Sequence, residues 1–206
     1  DLANILNEGA ILAARAGRTE ITMADLEEAS EKVKMGPERK SKVVPEDEKR
    51  MVAYHEVGHG IVGYIIGGGD RVHMIPRGPA GGYTLSLPEE EKSFHSKKYM
   101  LDRIARYFGG RAAEEIIFGK ENITDGAGSD IYYATLIAKD IVTKYGMTEK
   151  FGPVFLEATE EDYMLQRKYY SEQTGKEVDD EIRKIITEQY SRAKNILLEN
   201  REKLEE

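Results

Sequence analysis

The sequence contains no cysteine, no tryptophan, only 4 histidines and 6 prolines in 206 residues, and no excess of basic charge. Without cysteine there are no disulfides and no thiolate ligands, so a bound metal must be held by His, Asp or Glu. A formal net charge of -8 offers no broad basic surface to nucleic acid or anionic lipid. The longest apolar run, around Ile61 to Ile66, is far too short to span a bilayer, and these residues contain no signal-peptide pattern. The phosphate-cradle pattern G-x-x-x-x-G-K-[ST] is also missing, as are internal repeats and low-complexity tracts. What is present is ordinary for a soluble globular chain: 40% hydrophobic and 33% charged residues, enough for one or two domains. Abundant Glu and Lys beside the lack of cysteine leans toward a thermophilic source.

Residues 1–34 read as two short helices. Leu2, Ile5, Leu6, Gly9, Leu12 and Ala13 fall at helical spacing until Gly17 stops them. Thr22, with Asp25 three residues on, forms a capping-box pattern that opens the second helix at Met23. Residues 35–45 are a charged Gly-Pro linker, expected to be a solvated hinge. From Pro45 a helix follows in which Val52, His55, His59, Val62 and Ile66 share one stripe. Gly58, Gly60 and Gly63 weaken that helix by about 1 kcal/mol each relative to Ala, so close approach of a metal, a substrate or a strand is expected there. Arg71–Ile75 and Gly82–Leu87 are predicted strands, the second suited to a sheet edge. Ser96–Ile117 returns to helical spacing, with Leu101, Ile104, Phe108 and Ala112 on one face and Gly109-Gly110 as an interruption. A Gly-rich turn leads into a helix from Asp130 to about Tyr145, and Ser171–Glu206 is predicted to be one long or broken helix. The fold class is mainly α with a small β-sheet.

The chemistry centres on His55-Glu56-Val57-Gly58-His59, an H-E-x-x-H pattern. On a helix its two imidazoles lie at i and i+4 on one face, where they can share one zinc ion, with the glutamate between them as proton carrier. Catalytic zinc usually takes three protein ligands. A metzincin would place a glycine where Val62 stands and a histidine where Ile65 stands, so that class is excluded. His73, in a strand, and His95, among charged residues, are weaker candidates for the third ligand. Glu115 continues the stripe of Leu101, Ile104, Phe108 and Ala112, whereas Glu114 points about 100° away. Asp130 heads the stripe of Ala134, Ile137 and Ile141, but a carboxylate there is equally a helix cap. Spacing leaves Asp130 and Glu115 both open.

Six motifs then occur in a telling order: Asp1–Glu8, Met35–Arg39, His55–His59, Ile75–Gly78, Gly109–Glu115 and Tyr145–Thr148. Together they resemble the FtsH-type ATP-dependent zinc metalloproteases, over nearly the whole chain. The resemblance implies that residues 1–34 are the end of the helical lid of an AAA ATPase module. It implies a helical, zincin-like protease domain over 46–206, as a piece of a longer protein. The family's T-G-A-x-N-D aspartate falls on Asp130, so the implied ligands of a single Zn2+ are His55, His59 and Asp130, with Glu56 as general base. Asp125 looks inserted and Ser129 replaces the usual Asn, which makes Asp125 a minor rival. Glu115 is then assigned to support of the metal ligands or to structure. Gly82, Tyr83, Thr84 and Leu85 are expected to pair with extended substrate. Also implied are unfolded polypeptide substrates, a homo-hexamer, and ATP and Mg2+ used only in the full-length protein. The parent is expected to be anchored in a bacterial inner membrane with this part in the cytoplasm, itself soluble and touching neither membrane nor nucleic acid. The competing expectation is a ring-forming assembly module with an empty or structural metal site, closed by a fourth ligand such as His73.

Overall fold

The computed structural model describes residues 2–36, 45–67, 70–73, 83–86, 94–157 and 170–205. It separates into two compact units: residues 1–52 with 73–83, and residues 53–72 with 84–206. The expected linker lies largely outside the described residues.

In the first unit, α1 (Leu2–Arg15) and α2 (Met23–Met35) pack together. Gly17 ends the α1 turn at φ 72°, a left-handed conformation that costs glycine nothing. The capping box forms as its residues predict: the Thr22 hydroxyl accepts from the Asp25 N–H, and Asp25 accepts from the Thr22 N–H at 2.8 Å. Arg18 adds two parallel bonds to Asp25, each 2.6 Å, which hold the Asp25 carboxyl well below the usual carboxylate range. Gly9 lets the helices approach, since a Cβ there would lie 3.1 Å from Leu26 Cδ2.

The second unit begins within α3 (Glu46–Ile66) and is mainly helical. Strand structure among the described residues is confined to β1 (Asp70–His73) and β2 (Tyr83–Ser86), paired with each other. Two four-residue strands are too little to form a layer of the fold, so helix packing carries it. The flanking residues of the predicted strands, Met74, Ile75, Gly82 and Leu87, lie outside the described residues.

Next come α4 (Lys97–Tyr107), α5 (Gly109–Phe118), α6 (Gly128–Thr143), α7 (Glu172–Glu199) and a final turn, α8 (Arg201–Glu205). Ser96 and Ser171 cap α4 and α7 through their side chains. The C-terminal pattern is thus a long helix broken at Asn200. Helix α7 packs across α4, α5 and α6, and its Val178, Ile185, Ala193 and Leu197 enter a core with Ile104, Phe108, Ala112, Ala134, Ala138 and Ile141. The apolar stripes read for these helices are largely the buried ones, whereas Leu2 and Leu6 of the α1 stripe are exposed. Helices α4 and α5 are divided at Phe108, yet Ile104, Phe108 and Ala112 all stay buried in the one core cluster.

Gly58 of the motif helix meets a helix, where a metal, substrate or strand was expected. A Cβ on Gly58 would lie 2.4 Å from the Gly109 carbonyl oxygen and 2.7 Å from Ala113 Cβ; one on Gly109 would lie 2.6 Å from the Gly58 carbonyl oxygen. Backbone therefore packs against backbone where α3 meets α5. No larger residue fits without moving a helix.

Candidate metal centre

Three acceptors converge where α3, α5 and α6 meet. His55 and His59 project from α3 one turn apart, with their Nε2 atoms 3.1 Å from each other. The Asp130 Oδ2, in the first turn of α6, lies 3.4 Å from both nitrogens. These are the three residues whose donor atoms cluster closely enough to hold one metal ion among the described residues.

The other side of each imidazole fixes what faces the centre. His59 Nδ1 is 2.8 Å from the Arg106 carbonyl oxygen, which can only accept, so that nitrogen carries the proton and Nε2 keeps its lone pair. His55 Nδ1 donates to the Glu114 carboxylate at 2.6 Å. Two lone pairs and a carboxylate facing one another at these distances repel unless a cation sits among them. The donor set, two nitrogens and one oxygen, is one that zinc accepts. The residues fit the ion.

Glu114 is the residue that spacing misplaced. It is 1% exposed and bonds His55, whereas Glu115 turns toward α7, where it accepts from Tyr190 and from Lys194 at 2.8 Å. Glu115 is not among the convergent donors, and its bonds to α7 match the structural one of its expected roles. The physical reason is that two faces of α5 are covered: Glu115 lies toward α7, while Gly110 and Glu114, four residues apart, face His55 of α3 together. A Cβ on Gly110 would lie 2.5 Å from His55 Nε2, so this glycine is the floor on which the ring rests. The adjacent glycine pair was the available signal that a second element packs closely on this face.

The remaining candidates sit elsewhere or beyond description. Asp125 occupies a single 3-10 turn (Asp125–Ala127) and is exposed, as is Ser129. His95 is exposed and stacks on Tyr99 with ring centroids 4.5 Å apart. The side chains of His73, Tyr83, Thr84 and Leu85, and all of Gly82, lie outside the described residues. Glu56 is 8% exposed, and its charge is felt by His55.

Electrostatics couple the three groups when no metal is bound. Burial acts to lower the His55 pKa, but hydrogen bonds to Asp130 and Glu114 and the charge of Glu56 outweigh it and raise the value to about 9. Burial likewise acts to raise Asp130, and the two imidazoles overcome it, holding the carboxyl at about 2. Glu114 is lowered too: burial opposes, and the bonds from His55 and Thr124 prevail. A proton thus takes the cation's place. His55 lies above its ordinary value of 6.5, so its contribution to stability is complete below that pH and disappears as pH rises through about 9. For the chelated chain this predicts a fall on the order of 10 °C in thermal midpoint between pH 6.5 and 9. Zinc saturation removes most of that slope, because the metal then satisfies both nitrogens. Melts across that range with and without chelator check it; a flat or rising chelated midpoint contradicts the coupling.

Comparison with known proteins agrees with this geometry. The model of peptidase family M41 matches residues 42–206. The chain is 50% identical over 214 residues to a protein of Petrotoga mobilis described as ATP-dependent zinc metalloprotease FtsH 3, covering 100% of this chain and 33% of that protein. It is 45% identical to the FtsH zinc metalloproteases of Thermotoga maritima and of Bacillus subtilis, in each case over 100% of this chain and 35% and 33% of theirs. The chain thus spans about a third of the length of these relatives. On the match of family model, whole-chain relatives and metal-site geometry, the chain belongs to peptidase family M41.

Proposed function

We propose that this chain is the zinc endopeptidase part of an ATP-dependent protease, with His55, His59 and Asp130 holding the ion. The observation that carries this reading is the convergence of two Nε2 lone pairs and the Asp130 carboxylate, with each Nδ1 committed to a hydrogen bond on its far side. A bound zinc supplies Lewis acidity, acidifying water and polarising the scissile carbonyl. Glu56 takes the proton of the attacking water and returns it to the leaving amine. Glu114 keeps His55 in the tautomer that presents Nε2, and the Arg106 carbonyl does the same for His59. Three donors converge among the described residues, the number of protein ligands a catalytic zinc usually takes.

Residues 1–34 form the end of an AAA lid in this reading, 35–45 a linker and 46–206 the protease domain. Extended polypeptide pairs with Gly82 and the β2 residues Tyr83, Thr84 and Leu85 by adding a strand to the β1-β2 pair. Backbone pairing gives weak side-chain selectivity, as suits a degrader of unfolded chains. Hexamer formation, use of ATP and Mg2+, and membrane anchoring on the cytoplasmic side are assigned to the longer protein. No described helix of this chain is long and apolar enough to cross a membrane. The test is chelation: phenanthroline treatment of the full-length protein abolishes ATP-driven casein degradation, and stoichiometric zinc restores it. Degradation that persists in a metal-free preparation would overturn the reading.

A further inference from the structure

We infer that Thr124 is a positioning residue of the metal centre, tying the turn that delivers Asp130 to the carboxylate that orients His55. The inference rests on the metal reading above. Its basis is that one buried carboxylate serves two segments. Glu114 Oε1 accepts from His55 Nδ1 at 2.6 Å, and Glu114 Oε2 accepts from the Thr124 N–H at 2.7 Å. The Thr124 hydroxyl makes two further contacts, to Glu114 Oε1 at 3.1 Å and to the Gly126 N–H at 3.2 Å.

Proton counting fixes the direction of both. The Gly126 N–H can only donate, so the hydroxyl accepts there and spends its single proton on Glu114. Thr124 therefore opens the 3-10 turn Asp125–Ala127 and anchors it to Glu114 in one step. Ala127, fully buried, closes that turn, and α6 starts at the next residue. Asp130 arrives six residues after Thr124 and meets the same imidazole that Glu114 holds from behind. His55 and Asp130 are thus aligned on a common carboxylate. Thr124 acts through Glu114, not on the ion.

Partners of metal-ligating histidines typically affect metal affinity by about 10–100-fold. The Thr124 N–H survives substitution, so the lower end applies: Thr124→Val weakens zinc binding about tenfold, measured by competition with a chromophoric chelator. Thr124→Ser, which keeps both hydroxyl bonds, stays within about twofold of the parent. In a Glu114→Gln background, Thr124→Val adds less than about twofold, because its route to the ion is already altered. Far-UV circular dichroism verifies folding, and Thr124→Ala carries the same expectations if the valine variant does not fold. Parent-like zinc affinity in Thr124→Val overturns this role, as does a full tenfold loss in the Glu114→Gln background or an equal loss in Thr124→Ser. If the parent chain itself binds no zinc, the metal reading fails and this role fails with it. Normal binding by both parent and Thr124→Val removes this role alone.

Discussion

Replacing Glu56 by Gln lowers peptide-bond hydrolysis by about 10²–10⁴-fold while zinc content stays at the parent level. The size of the effect follows from what the amide lacks. Gln has the shape of Glu and fits the same buried position, 8% exposed on α3, but has no basic oxygen to take a proton from water. It lies outside the set of convergent donor atoms, which is His55, His59 and Asp130, so the ion keeps its ligands. The loss therefore appears in kcat, since the group acts in the transition state, and KM moves little. Casein degradation by the zinc-loaded full-length protein in the presence of ATP measures it, with atomic absorption on the same samples for metal content. Undiminished degradation by the variant would sink the proposed role of Glu56. Loss of zinc alongside loss of activity would instead make Glu56 part of the metal's support.

The centre was legible in the sequence to the extent that local periodicity controls it. His55 and His59 lie at i and i+4 within an apolar stripe, so their common face and inward direction needed only helical geometry. Asp130 was readable as a candidate for the same reason, at the head of the stripe of Ala134 and Ile141, both fully buried. Glu114 was not, because its role depends on which helix covers the neighbouring face of α5. The stripe of Leu101, Ile104 and Phe108 puts Glu115 inward, against α7, and Glu114 on the face that meets His55 of α3. The glycines show a similar divide. Their cost in helix propensity announced a close approach, but only three-dimensional packing reveals that the partner of Gly58 is the backbone of Gly109. Sequence periodicity thus describes each helix alone, and the contacts between helices decide which carboxylate serves the histidine.

Asp130→Asn and Glu115→Gln are expected to separate completely. Asparagine preserves the volume of Asp130 but removes the one carboxylate that, among the described residues, lies 3.4 Å from both Nε2 atoms, leaving two neutral ligands for a divalent ion. Zinc affinity falls by at least about 100-fold, because a two-histidine site is one ligand short of the usual set. Glu115→Gln leaves zinc affinity within about twofold, since its carboxylate faces Tyr190 and Lys194. Its effect is on stability: the side chain is 10% exposed, and losing its charge opposite Lys194 costs about 1–3 kcal/mol. Metal analysis after dialysis against a weak chelator reads the first effect, and thermal melting of the chelated chains reads the second. The Asn variant has a compensating feature in the metal-free state. With Asp130 neutralised, His55 loses a carboxylate hydrogen bond that raises its pKa, so the alkaline decline of the chelated chain shrinks. Full zinc retention by Asp130→Asn would exclude it as the third ligand. Zinc loss in Glu115→Gln would mean that α5 turns enough to exchange its two glutamates, and the site would have to be rebuilt around that helix.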